Sequence, residues 1–111
     1  MAPRAADTLN RIEFLVLTVL FEEPRHGYGI AGEIGRRTGG EVTVRPGSLY
    51  RVLDRLGRRG LIEPTDEAPT EGDDRRSYYA ITAEGRAAVE VEARLLASLA
   101  RDVLAAGEGP A

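Results

Sequence analysis

The chain has 111 residues, 42% hydrophobic and 30% charged, with a formal net charge of −3 at pH 7 and no cysteine. That length suits one core of roughly 100 to 200 residues, and the composition excludes both wholesale disorder and a fibrous repeat. Disulfides, thiolate metal sites and cysteine nucleophiles are excluded outright.

The longest apolar stretch, residues 14–21 with Thr18 inside it, is far shorter than the roughly 20 residues that cross a bilayer. The opening MAPRAADTLNR lacks the apolar core of a secretory signal. A cytoplasmic protein with no membrane association is expected. The net charge hides its distribution. Residues 1–33 carry three arginines against five acids, residues 34–60 seven against two, and residues 61–111 five against eleven. A basic segment inside an acidic chain suggests a local anion-binding surface, or else a solvated helix face.

Leu9, Ile12, Leu15, Val16, Val19 and Leu20 recur at helical spacing, with Asp7, Thr8 or Asn10 available as a cap and Pro24 as the stop. After the turn PRHG, residues Tyr28, Ile30, Ala31 and Ile34 suit a second, shorter helix that ends near Thr38-Gly39-Gly40. Residues 46–60 place Leu49, Val52, Leu53 and Leu56 on one face, with Pro46 to start the helix and Gly60 to end it. At 100° per residue, Arg51 and Arg58 lie nearly opposite that stripe and Arg55 beside them. One face packs while the other offers guanidinium groups.

Residues 61–65 and 75–82 read as strands joined by DEAPTEGDD, a hairpin loop by its proline and glycine. Thr82 caps a fourth helix that runs to about Ala106 and carries Val91, Leu95, Leu96, Leu99 and Val103 in a stripe about 180° wide. Glu92 falls inside the stripe. Such width exceeds what one small domain buries, and it predicts a helix that covers its own domain on one side and a second copy on the other.

The fold class expected is mainly α with a small β-hairpin. Three helices, a hairpin and a long helix describe a winged helix-turn-helix followed by a dimerisation helix, the third helix entering the major groove and the hairpin forming the wing. Residues 1–82 form the DNA-binding part, residues 83–106 the dimerisation helix of the same compact domain, and residues 107–111 a mobile tail.

Four blocks in this order, LVLTVL before Pro24, HGYGI (26–30), PGSLYRVLDRLGRRGLI (46–62) and RRSYYAITAEGR (75–86), resemble the PadR family of transcriptional regulators, in its short type with a single C-terminal helix. The resemblance covers about residues 12–99. It implies a cytoplasmic, nucleoid-associated homodimeric repressor on a pseudo-palindromic operator of double-stranded DNA, released in many relatives by a small-molecule inducer.

The residues suit that use. Ser48, Tyr50, Arg51 and Arg55 are expected nearest the groove, arginine being fitted to guanine edges and phosphates. Arg45, Arg58 and Arg59 are expected at the backbone or in solvent, and Arg75 and Arg76 at the start of the returning wing strand. Two departures stand out. Asp66, Glu67, Glu71, Asp73 and Asp74 make the wing loop acidic, so its tip should point away from the duplex or be partly neutralised by Arg75 and Arg76. Arg51 stands where relatives frequently carry proline.

His26, the only histidine, reads as structural, and Tyr28, Tyr78 and Tyr79 as core or hairpin packing. No metal site, cofactor or catalytic constellation is visible, which argues against an enzyme. Two other readings compete with operator binding. One is a ligand-responsive sensor whose dimer-interface pocket involves Phe14, Val91, Leu95 and Leu99; the absence of the tryptophan that drug-sensing relatives use weighs against it. The other is a winged-helix protein-interaction module without DNA binding, favoured by the acidic wing.

Overall fold

The computed structural model describes residues 8–66 and 77–108. Its elements are α1 (Arg11–Glu22), β1 (Arg25–His26), α2 (Gly27–Arg37), α3 (Pro46–Arg58), β2 (Ile62–Thr65), β3 (Tyr78–Ile81) and α4 (Ala83–Gly107). The expected positions Arg75 and Arg76 and the acids at Glu67, Glu71, Asp73 and Asp74 lie outside the described residues, as do residues 109–111.

The helix starts, and the end of α3, rest on local chemistry. Asn10 caps α1 in a reciprocal box: its Oδ1 accepts from Glu13 N at 2.8 Å, while Glu13 Oε1 accepts from Asn10 N at 2.9 Å. His26 caps α2, its Nδ1 accepting from Gly29 N at 3.0 Å, with its ring edge-on to Tyr78 at 5.3 Å between centroids. Pro46 opens α3. That helix closes with Gly60 N donating to Gly57 O and Leu61 N to Leu56 O, each at 3.0 Å. This pattern needs Gly60 at φ 75°. Thr82 caps α4, its Oγ1 accepting from Gly85 N at 3.0 Å while it donates to Gly60 O at 2.7 Å.

The turn expected at PRHG is instead a third strand. Arg25 and His26 pair antiparallel with Tyr79 and Tyr78, so the hairpin of β2 and β3 becomes a sheet of order β1-β3-β2. A two-residue strand has no periodicity of its own; its partner lies more than fifty positions downstream.

The core is built from Val16, Leu17 and Leu20 of α1, Ile30 and Ile34 of α2, and Leu49 and Leu56 of α3, all buried, and is closed below by Leu61, Ile62 and Val89. The stripe Leu49, Val52, Leu53 and Leu56 is buried as its spacing predicts. Tyr78 is buried and Tyr79 half-buried. Tyr28 departs from expectation at 81% exposure. It lies roughly 160° and 120° around α2 from Ile30 and Ile34 and so faces outward.

Gly85 is the most crowded of the described glycines. A Cβ there would overlap the Leu61 carbonyl oxygen and lie 2.8 Å from Ile81 Cγ1, so only glycine lets the first turn of α4 seat against the strand start. Beyond that seat the helix leaves the domain. Every residue from 93 to 108 is exposed, and the helix continues one residue past its expected end, through Gly107.

Candidate nucleic-acid interface

The outward side of α3 carries Ser48, Arg51, Arg55 and Arg58 at spacings of three, four and three residues, and all four are exposed. Those spacings are the complement of the buried stripe and align the four side chains along one face. The start of the helix has no side-chain cap: Arg45 occupies the N-cap with no side-chain hydrogen bond, and Pro46 follows at the first helical position. Because Leu49 N already bonds to Arg45 O, the amides of Gly47 and Ser48 are those the helix leaves for an external acceptor.

Ion pairing divides the seven arginines of the basic segment. Arg36 and Arg37 close on Glu33 at 2.8 and 2.9 Å, and Arg37 also reaches Glu22 at 2.8 Å. Arg55 Nε and Arg59 Nη1 both donate to Glu13 Oε2, at 2.8 and 3.1 Å. Arg58 pairs with Asp54 at 3.0 Å, both side chains largely exposed. Among the described residues, Arg45 and Arg51 alone of the seven have no carboxylate partner. The basic segment therefore offers its unspent charge at one place, the first half of α3.

Glu13 is a polar residue that helical periodicity alone does not single out. It is buried on α1, at 3% exposure, within the stripe of Leu9, Val16 and Leu20. Two signals mark it: a carboxylate at an apolar position, and the Asn10-x-x-Glu13 spacing of a capping box. Burial pushes its pKa up, but the Arg55 hydrogen bond, the Asn10 amide and the Arg59 and Arg55 charges outweigh burial and hold it below the ordinary value. The hydrogen bonds from Arg36 and Arg37 lower Glu33 to about 2. A carboxylate whose folded pKa is depressed contributes stability that is complete above its unfolded value of about 4.3 and is lost as pH falls toward the folded one. The urea midpoint is therefore expected to be flat from neutral pH to about 5 and to fall between about 4.5 and 2. Glu33→Gln should flatten that fall; an unchanged acid limb in this variant would remove the network as its cause.

Tyr50 sits at the junction of α2 and α3. Its hydroxyl lies 2.9 Å from where a Cβ on Gly27 would be, and its side chain is 53% exposed. It borders two grooves. An apolar one of about 340 Å³ lies between α2 and the start of α3, with Tyr28, Gly32 and Pro46 in its wall. An open one of about 700 Å³ lies between α3 and the sheet and contains Asp54, Glu63 and Glu84 beside Arg58. Tyr79 lines the second, its hydroxyl pKa pushed above the ordinary tyrosine value by burial and by the nearby Tyr50.

The candidate dimerisation residues Val91, Leu95, Leu96, Leu99 and Val103 are exposed at 40 to 70% along α4. Phe14, by contrast, is half-buried against the core, so of the candidate ligand residues only Val91, Leu95 and Leu99 are exposed in the single chain. Glu92 is half-buried within the same stripe. Among the described residues, no helix is long and apolar enough to cross a membrane.

Comparison with known proteins places this geometry. A transcriptional regulator of Mycobacterium tuberculosis is 39% identical over 79 residues, which cover 71% of this chain and 69% of that protein. A PadR-like transcriptional regulator from Bacillus cereus superposes with a TM-score of 0.77 at 26% identity, covering 89% and 93% of the two chains. RosR of H. salinarum superposes with a TM-score of 0.65 at 37% identity, covering 81% and 76%. The profile of the PadR-like transcriptional regulator family matches residues 16–91. With its winged-helix fold and the outward basic face of α3, this chain belongs to the PadR-like family of transcriptional regulators.

Proposed function

We propose that the chain acts as a homodimeric repressor, paired through the apolar face of α4, that sets two copies of α3 into adjacent major grooves of a pseudo-palindromic operator. Arg51 reads a base edge, Ser48 and the uncapped amides of Gly47 and Ser48 hold a phosphate, and Arg45, Tyr50 and Arg58 line the backbone on either side. The observation that carries this reading is the pairing pattern: the two arginines without carboxylate partners flank the uncapped start of α3. The acids in the cleft between α3 and the sheet repel phosphate, so the duplex meets the first half of α3 more closely than the wing. Arg75 and Arg76 would serve the returning strand of the wing.

Fragments of the source genome selected on the protein should yield a duplex whose affinity falls steeply with salt, in proportion to the phosphates neutralised. On that duplex, Arg51→Ala is expected to cost about 1 to 3 kcal/mol and to relax one operator position. Binding indifferent to salt would exclude operator recognition. A uniform loss across all sequences from Arg51→Ala would make Arg51 a backbone contact instead.

A further inference from the structure

The outward stripe of α3 contains three arginines, and they are not equivalent. Arg58 is tied to Asp54 by a pair whose side chains are 80% and 61% exposed. Such a pair opens readily when a phosphate competes. Arg55 is tied to Glu13, whose side chain is 4% exposed, and the same carboxylate oxygen accepts from Arg59, itself 22% exposed. Arg55 gives only its Nε to Glu13 and its side chain is 46% exposed. Swinging it out to DNA would nevertheless strip a buried carboxylate of one of its two charge-assisted hydrogen bonds and leave it to Arg59 alone, and breaking a buried ion pair is costly. The second oxygen of Glu13 is already committed to the Asn10 amide, so the carboxylate cannot turn to follow a departing arginine.

We infer that Glu13 determines which arginines this regulator presents to DNA, withholding Arg55 and Arg59 and leaving Arg45, Arg51 and the loosely held Arg58 as the charges spent on the duplex. This rests on the operator-binding reading above. Glu13 touches no DNA and acts through the two guanidiniums it holds, so it is a positioning residue for recognition. The consequence is that α3 neutralises few phosphates despite its arginine-rich outward side, and that discrimination is concentrated on one side chain per half-site.

The number of phosphates neutralised is measurable. The slope of log affinity against log salt changes by about 0.9 for each additional phosphate that the protein neutralises or gives up. Measured on the protein with a duplex selected on the wild type, Arg45→Ala, which the operator reading places at the backbone, should flatten the slope by about 0.9 per protomer. Arg55→Ala should leave both slope and affinity close to wild type. Glu13→Gln, which removes the charge and keeps the shape, should steepen the slope by about 0.9 for each arginine freed in each protomer. Adding Arg55→Ala to it should reverse part of that steepening. A merely structural Glu13 would weaken binding in the Gln variant and leave its slope unchanged, which would overturn the inference.

If Glu13→Gln does not fold, Arg55→Ala decides alone, and a flattening of about 0.9 per protomer there overturns the inference. Failure of the wild type to select any duplex defeats the operator reading itself; a selected duplex with a flattened Arg55→Ala slope defeats only the role of Glu13.

Discussion

Replacing Leu95 and Leu99 together with glutamate is expected to convert the protein to a monomer and to abolish operator binding while leaving the fold of the single chain intact. The two leucines are 51% and 50% exposed, so neither holds the domain together, and the core formed by α1, α2 and α3 does not include them. In a two-fold dimer each substitution occurs twice. Four half-exposed leucines that would each gain about 1 to 1.5 kcal/mol on becoming buried together contribute on the order of 5 kcal/mol to association. Their loss alone weakens the dimer by roughly three to four powers of ten. Four carboxylates facing one another across the seam add a desolvation penalty of the same sign. DNA affinity falls with the dimer, because one α3 reads only a few base pairs and specificity comes from two half-sites spaced by a helical turn. Sedimentation at micromolar concentration reads the first effect and duplex retardation the second. A variant that still sediments as a dimer would locate the pairing surface elsewhere; a monomer that binds at wild-type affinity would remove the need for pairing.

What could be read in advance was what repeats locally. The buried face of α3 follows from Leu49, Val52, Leu53 and Leu56, the outward face of α4 from Leu95, Leu99 and Val103, and both helix starts from Pro46 and Thr82. What could not be read depends on partners far away in the chain. Arg55 and Arg59 look free on a helical wheel, yet their carboxylate lies 42 and 46 positions upstream, and no periodicity connects them. The same distance hides β1, which is a strand only because β3 passes beside it. Tyr28 fails for a different reason. An aromatic side chain is presumed inward on grounds of area, but its angular position on α2 lies away from Ile30 and Ile34, and angle decides over size. Glu13 was legible in part, since its capping spacing and its place in an apolar stripe were both visible; the arginines that neutralise it were not.

Gly85 offers the sharpest contrast between the two levels, because they predict opposite signs for one methyl group. By helix propensity alone, Gly85→Ala in the first turn of a long helix should stabilise the protein by up to about 1 kcal/mol. In the folded chain the new Cβ meets the Leu61 carbonyl oxygen, with Ile81 Cγ1 2.8 Å away. That carbonyl also accepts the Thr82 amide at 3.0 Å. A side-chain tip could rotate aside, but a carbonyl bonded to the residue that precedes α4 cannot move without disturbing the Thr82 cap and the β2–β3 pairing of Ile62 with Ile81. Overpacking against backbone therefore outweighs propensity, and a net loss of about 3 kcal/mol is expected. For a domain of this size that lowers the melting temperature by roughly 10 to 20 °C. Gly107, at the far end of the same helix with nothing within 4 Å of its Cβ position, serves as the control: Gly107→Ala should be neutral or slightly stabilising. Calorimetry on the two variants separates the alternatives. An unchanged or raised melting temperature in Gly85→Ala would mean that α4 does not seat against the strand start, and with that seat would go the angle at which α4 carries its apolar face toward a second copy.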